Sequence, residues 1–417
     1  MGIIRHIPRE TTLTLGCDPE LFITRTVGLT RKRESIVGSE FVLPQDGITA
    51  KRIRGSEDDF DDEGDDSYSS PCGVVVQDGV QVELHPVQNS CREELAAHLR
   101  GCLITLQNKL EETYDCEELK ISFDQSVRLS QGDLNKLSPE ARKLNCLPSL
   151  SAYCRAPIRR NGLKYLTRSA GGHTHRRNKA SLKSAKLVKM LDLLVGNTCV
   201  LFDRAPSSKV RRRVYGRAGE YRTPKHGLEY RVLSNFWLKN YTLMSMVFGL
   251  VHQAIYIEQA AIVEPSTLYK YNERTYALDI GESLMAAADF PKIEKAINNN
   301  DYDSALETYM NVVRPHFVDI HPDSGGLNNT ILDNFDYFIE KGTDHWFTKD
   351  PLNHWETEVS HDGHGLGFEN FLHTVVEPQR LDFSRTERLN TASLLDYCDK
   401  NYQKDIAVTE TEKRSLA

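Results

Sequence analysis

Apolar and polar side chains alternate along Thr12–Thr24, where TLTLG runs into CDPELFIT, and this period of two predicts a first strand. Within Gly73–Val87 the segment VVVQDGVQVELHP sets Asp-Gly between two β-branched runs, which predicts a hairpin. The spacing then changes. Leu95, Leu99, Leu103, Leu106 and Leu110 recur at helical intervals through Arg92–Thr113. Leu119–Phe123 reads as a short strand, and Leu182–Val200 and Phe236–Val263 as two further apolar helices. Glu282–Val313 suggests a helix pair connected through Asn298–Asp303. From Thr26 to about Ser70 the chain is polar and turn-rich, so loop is expected, with the acidic run Glu57–Asp66 as a solvated surface stretch.

No internal repeat interrupts this order. Beyond about Val318 the periodicity weakens while Trp, His and Gly rise, and Lys404–Ala417 reads as a disordered polar tail. The expected organisation is a main domain over residues 1–318, with an acidic loop near 56–67, followed by an extension over 319–417.

At 417 residues, with 39% apolar and 27% charged side chains, the chain has the make-up of a globular protein with a substantial core. The nearest approach to a bilayer span, Leu243–Ile257, is interrupted by Ser245, His252 and Gln253, well short of the roughly 20 apolar residues required. The start, MGIIRHIPRETT, lacks the apolar run of a secretory leader and the Ser or Thr expected for myristoylation. Nine scattered cysteines form no CxxC pair, which suggests reduced thiols and a cytoplasmic protein. Cys17 and Cys146 lie near the motifs below, but with no evident His partner they are expected to be buried thiols rather than nucleophiles.

The chemistry sits in polar pairs two residues apart inside strand-like segments. They are Asp18 and Glu20 in GCDPELF, Glu83 and His85 in VQVELHP, His173 and His175 in GGHTHRR, and Glu229 and Arg231 in GLEYRVL. In a strand, positions i and i+2 face the same side, so each pair aims both groups one way while Leu21, Leu84 and Tyr230 point the other. Taken singly, each is also what a half-buried strand with polar ends looks like. Together they describe a sheet face rich in carboxylate and imidazole, a donor set for magnesium or manganese rather than a soft-thiolate site. The two glycines before His173 suggest a backbone that approaches a ligand closely.

Charge changes the picture further. The net charge is −7, yet Arg155 to Lys189 contains no acid, and Arg204 to Lys225 carries Lys209, Arg211, Arg212, Arg213, Arg217 and Arg222 against Glu220 alone. Cations gathered around a metal-binding face suit a polyanion such as nucleotide phosphate. Nucleic acid fits the same charge but is not favoured, since Tyr165, Tyr215 and Tyr221 are the only nearby stacking candidates. Neither a P-loop nor a strand-bound G-x-G-x-x-G is present.

The order GCDPELF, DGVQVELHP, AGGHTHRR, RRRVYGRAGEYRTPKHGLEYRVLSNFWL resembles the amidoligase group of the glutamine synthetase and glutamate–cysteine ligase superfamily, and is most similar to bacteriophage carboxylate–amine ligases. The likeness runs from about residue 12 to about 315 and is most specific over Arg211–Trp237. It implies an α+β fold in which a curved antiparallel sheet forms a funnel packed against helices, with residues from about 320, HDGHGLGFENF included, as an unmatched extension. It implies an ATP- and magnesium-dependent ligase that joins a carboxylate to an amine through an acyl phosphate. By motif, Asp18, Glu20, Glu83, His173 and Glu229 correspond to metal ligands, with Asp18 standing where glutamine synthetases have Glu. His175 and Arg231 correspond to residues on the phosphates and the transferred phosphoryl group, and Arg222, Arg217 and Arg213 to further phosphate contacts. Glu220, Tyr221 and His85 are implied as substrate contacts. Implied partners are small-molecule or peptide acids and amines, in the host cytoplasm if phage-encoded, with no membrane and with homo-oligomers common among relatives. The residues alone leave two other readings open: a zinc hydrolase using His173 and His175, and a non-catalytic phage or nucleic-acid-binding protein on the same scaffold.

Overall fold

The alternation of the first segment becomes β1 (Leu15–Val27), the strand to which much of the fold attaches. The computed structural model describes residues 14–27, 33–51, 71–89, 92–113, 119–142, 149–154, 157–158, 166–177, 184–225, 227–239, 241–260 and 281–315, with 335 and 338–340. The acidic run Glu57–Asp66, Cys146, the HDGHGLGFENF segment and the polar tail lie outside the described residues.

After β1 come β2 (Arg33–Val37), β3 (Ile48–Lys51), β4 (Pro71–Asp78), β5 (Gln81–Pro86) and helix α1 (Arg92–Thr113). Then follow β6 (Leu119–Ser122), β7 (Ser126–Arg128), α2 (Gln131–Lys136), α3 (Pro139–Arg142), β8 (Ser149–Ser151), β9 (Pro157–Ile158), β10 (Thr167–Ser169) and β11 (Gly172–Arg177). The remainder comprises α4 (Ser184–Leu191), α5 (Asn197–Phe202), α6 (Pro206–Val214), β12 (Glu220–Arg222), β13 (Gly227–Tyr230), α7 (Tyr241–Ala260), α8 (Phe290–Asn299) and α9 (Tyr302–Thr308). The protein is mixed α and β, with a large open antiparallel sheet in the order β3-β4-β5-β1-β11-β13-β12-β8-β9; β2 and β6 pair the far half of β1. Among the described residues no helix is long and apolar enough to cross a membrane.

The Asp-Gly hairpin forms as expected: Asp78 pairs with Gln81, and Gly79 takes φ 61°, a left-handed turn conformation that suits glycine. Helix α1 matches its leucine spacing and buries Leu95, Leu99, Leu103, Leu106 and Leu110. Its neighbours in the core are Leu21, Val75, Val82 and Leu84, the inward side chains of β1, β4 and β5. Burying one such leucine contributes about 1.5–3 kcal/mol.

Two predicted helices are more broken than their periodicity suggests. Leu182–Val200 becomes α4, a wide π turn at Asp192–Gly196, and α5. The turn brings the Asp192 carboxylate to the Tyr230 hydroxyl at 2.7 Å, and a Cβ on Gly196 would lie 2.6 Å from that same oxygen. Phe236–Val263 begins instead as a 3-10 turn, Asn235–Lys239, before α7. There Asn235 Nδ2 donates to the Glu20 carbonyl at 2.9 Å and Trp237 Nε1 to the Gly172 carbonyl at 3.2 Å, which ties the turn to the sheet.

The stretch expected to be loop also holds structure, since β2 and β3 lie within it; short edge strands are stabilised by pairing with β1 and β4 rather than by periodicity. In the helix pair, Asn300 closes α8 in the left-handed region (φ 51°) and Asp301 caps α9, within the connection expected. Phe335 stacks on Phe202 at 5.8 Å between ring centroids and is buried in the same core.

Candidate active site

The register of the central strands turns the polar pairs into one surface. Asp18 of β1 lies opposite His173 of β11, Glu20 opposite Glu83 of β5, His175 opposite Glu229 of β13, and Glu229 opposite Arg222 of β12. Directly paired residues share a face, so these side chains all project from the same side of the sheet. The other side carries Cys17, Leu21, Val82, Leu84, Leu228, Tyr230 and Tyr221, all in the helix-covered core. At one end the polar face is closed off by Phe22, which packs with Leu129, Leu134 and Ala170 in a second, smaller cluster.

At the centre, Asp18 Oδ1 lies 3.0 Å from His173 Nδ1 and 3.0 Å from His175 Nε2, and His173 Nδ1 is 3.6 Å from Glu229 Oε1. Asp18, His173 and Glu229 are buried, and one ligand atom from each falls within 4.8 Å of the others. Asp18 Oδ1, His173 Nδ1 and Glu229 Oε1 are close to one another yet form no hydrogen bond of good geometry. These three ligand atoms border common space instead. Burial opposes charge on Asp18, but the imidazoles of His175 and His173 outweigh it and hold the carboxyl well below the usual range. Burial pulls His173 down, whereas at His175 the attraction of Asp18 overcomes burial and raises the imidazole.

On one flank stand the arginines. Arg222 Nε lies 2.6 Å from Glu229 Oε2, and Arg231 Nε lies 2.9 Å from Glu229 Oε1. Arg231 Nη1 also donates to Ser149 Oγ at 2.9 Å. On the other flank Glu20, Asp78 and Glu83 form a second acidic group whose ligand atoms lie within 4.8 Å of one another. Glu20 Oε2 accepts the Gly171 N–H at 2.7 Å, while burial and the nearby Asp78 and Glu83 push its carboxyl up. Burial raises Glu83 to about 7 despite its 2.8 Å contact with half-exposed His85. The polar face therefore grades from carboxylate to guanidinium across the two histidines.

Residues 158–317 match the family model described as Phage phiEco32-like COOH.NH2 ligase-type 2. The match spans 160 of the 417 residues and supports a likeness to phage-type amidoligases over that stretch. No curated protein matches the chain. The matched segment contains His173, His175, Arg222, Glu229 and Arg231, while Asp18, Glu20 and Glu83 precede it in sequence. Pairing of β1 with β11 brings those earlier acids to it.

The glycines ahead of His173 have specific causes. A Cβ on Gly171 would lie 2.2 Å from His173 Nε2, and one on Gly172 would lie 2.2 Å from the Ser234 carbonyl oxygen. The close approach they permit is to the protein's own ring and backbone.

Several expected residues sit elsewhere. Tyr221 pairs with Tyr230 and faces the core, so it does not reach the polar surface. Glu220 is buried, and its Oε2 accepts the N–H groups of Gly216 at 2.6 Å and Arg217 at 3.1 Å, folding the GRAGEYR loop around itself. The side chains of Arg213 and Arg217 are exposed, on α6 and on that loop. Much of the basic belt is internal. Arg211 donates to the Ala170 and Val232 carbonyls at 2.9 Å each and to that of Leu233, and Arg212 donates to the Val232 carbonyl at 2.7 Å and to that of Gly216. Both are fully engaged inside the fold, so the charge count overstated what an external polyanion can meet. Cys17 is buried on the core side, where burial raises its thiol, in keeping with an inert cysteine.

Two residues at the site carry no sequence signal of their own. Asp78 belongs to the hairpin turn, and Tyr215 follows α6; Tyr215 Oη is hydrogen-bonded to His173 Nε2.

Proposed function

We propose that the chain is an ATP-dependent carboxylate–amine ligase that uses magnesium or manganese and works through an acyl phosphate. The observation that carries this is the convergence of Asp18 Oδ1, His173 Nδ1 and Glu229 Oε1 beside two arginines, with His173, Glu229 and both arginines in the span that matches the ligase family model. Buried ligand atoms that lack good hydrogen bonds suit a divalent ion, and nitrogen and oxygen donors suit magnesium or manganese better than a thiophilic metal. Glu20, Asp78 and Glu83 offer a second set of oxygens next to the first. We assign the open antiparallel sheet to the glutamine-synthetase type of scaffold on the same grounds.

A carboxylate resists attack by an amine because its leaving group would be oxide. In the proposed reaction a carboxylate oxygen of the acid attacks the γ-phosphorus of ATP, the bond to the bridging oxygen breaks, and ADP leaves. The amine nitrogen then attacks the acyl carbon and loses a proton, and phosphate departs with the bonding electrons. A bound divalent ion would neutralise phosphate oxygens throughout. Glu229 holds Arg222 and Arg231 on the polar face, where their charge stabilises the phosphoryl group in flight. His175, whose charged form Asp18 favours, stands beside them. Exposed Arg217 and Arg213 are proposed to meet the outer nucleotide phosphates, and half-exposed His85 to meet substrate.

The test is ADP release from ATP and magnesium, screened across amines and amino acids with candidate acids, using wild type and His173→Ala. Release that depends on both acid and amine and vanishes in the variant supports the ligase. Release indifferent to the amine, or hydrolysis restored by zinc without ATP, refutes it.

A further inference from the structure

We infer that Tyr215 is a positioning residue for the metal centre: its hydroxyl oxygen accepts a hydrogen bond from His173 Nε2–H and so leaves the Nδ1 lone pair for the cation. The inference deepens the proposed function and rests on it. His173 has two ring nitrogens with different surroundings. Nδ1 faces Asp18 Oδ1 at 3.0 Å and Glu229 Oε1 at 3.6 Å, and Nε2 is hydrogen-bonded to Tyr215 Oη. A neutral imidazole carries one N–H, so a cation that takes Nδ1 requires the proton on Nε2, and that proton requires an acceptor.

The phenol oxygen is that acceptor. Gly171 presses against Nε2 from another side, since a Cβ there would lie 2.2 Å away. The hydroxyl itself is firmly placed. The Tyr215 ring is buried, the Arg211 guanidinium carbon lies 5.1 Å from its centroid, and that of Arg231 lies 5.0 Å from it. It meets the His173 ring edge-on, at 5.5 Å and 76°. Arg211 is anchored by backbone carbonyls and Arg231 by Glu229 and Ser149. The ring is thus held independently of its hydroxyl, and Tyr215→Phe removes the acceptor while keeping the packing. Partners of this kind on metal-binding histidines contribute about 10–100-fold in metal affinity.

The experiment uses the full chain and Mn2+ alone as probe. Isothermal titration of wild type and Tyr215→Phe should show Mn2+ binding weakened about 10–100-fold in the variant, with the metal-free thermal midpoint little changed. In a parallel arm, nitrogen-15 spectra of Mg2+-loaded wild type should show His173 protonated at Nε2, the resonance being assigned by its loss in His173→Gln. Mn2+ affinity in Tyr215→Phe within twofold of wild type overturns the inference alone. So does a His173 proton on Nδ1 in the Mg2+-loaded protein, a result that stands even if Tyr215→Phe fails to fold. Wild-type protein that binds no Mn2+ overturns the proposed function and this inference with it.

Discussion

Replacing Glu229 should reveal that one carboxylate serves the site and the fold together. Glu229 and Arg231 are almost wholly buried, with 1% and 2% of their side chains exposed, and Glu229 is the carboxylate against Arg231 Nε at 2.9 Å. Glu229→Ala leaves that guanidinium inside the protein without its counter-charge, a loss of about 3–5 kcal/mol for a buried pair. Arg222 keeps 27% of its side chain in water and regains hydration, so it adds little. Unfolding entropy of about 2.1 cal/mol/K per residue, over roughly 300 cooperatively folded residues, converts this to a fall in Tm of about 5–8 °C. Glu229→Gln retains shape and an acceptor oxygen and should cost less, about 1–3 kcal/mol. Scanning calorimetry of the two variants, of Arg231→Met and of Glu229→Ala/Arg231→Met supplies the cycle. The double variant should be more stable than the sum of the single losses predicts, by at least about 1 kcal/mol. A Tm fall below about 1 °C for Glu229→Ala, or strict additivity in the cycle, would refute the reasoning. Loss of turnover in Glu229→Ala therefore has to be judged against the folded fraction.

Gly171→Ala should drive the imbedded Cβ against His173 Nε2 and turn the ring, costing about 1–3 kcal/mol by overpacking and weakening Mn2+ binding more than it lowers Tm; binding equal to wild type speaks against the placement of that ring. Burial raises Asp192 from 3.8 to about 7, against the hydrogen bonds from Tyr230 and Tyr153 that favour its ionised form. A carboxyl raised on folding stabilises most below its unfolded value and loses that contribution as pH climbs through about 7. Stability from this group should fall between about pH 4 and 7, and Asp192→Asn should flatten that fall in urea titrations; parallel profiles would argue against it. Arg211→Met should orphan the Ala170 carbonyl at about 1–3 kcal/mol, while Val232 keeps its bond from Arg212 and Leu233 that from the Gly172 N–H, and a urea midpoint unchanged from wild type would contradict the internal role of that arginine.

Which side chains share the polar face could be told from sequence, because the i, i+2 rule is local and survives any choice of strand partner. Asp18 with Glu20, and His173 with His175, needed only the assumption of extended chain. Which strands adjoin was beyond the pattern itself: nothing within GCDPELF says that Asp18 will face His173 rather than Glu83, since that depends on register. The bond from Tyr215 to His173 could not be read from sequence, because Tyr215 sits in an irregular turn after α6, where no period applies, and its partner is far away in the chain. The arginines misled for another reason. Charge along a sequence does not distinguish Arg211, which satisfies backbone carbonyls, from Arg222, which lies on the polar face. Helix breaks likewise reflect tertiary contacts, such as Asp192 reaching Tyr230, that helical periodicity does not encode.

The thirteen-residue strand β1 has a consequence for synthesis. Its far half can join β2 and β6, and its near half β5, while the chain is still short, but Asp18 meets its partner strand only when β11 has been made. The Asn235 amide that fastens to Glu20 arrives later still, a span of 215 positions. Until the ribosome has released that turn, the acid-bearing side of β1 has an unpaired edge, and closing such remote pairings is slow and prone to association with other chains. Expression at low temperature, or with chaperones that shelter nascent sheet edges, should raise the yield of folded protein.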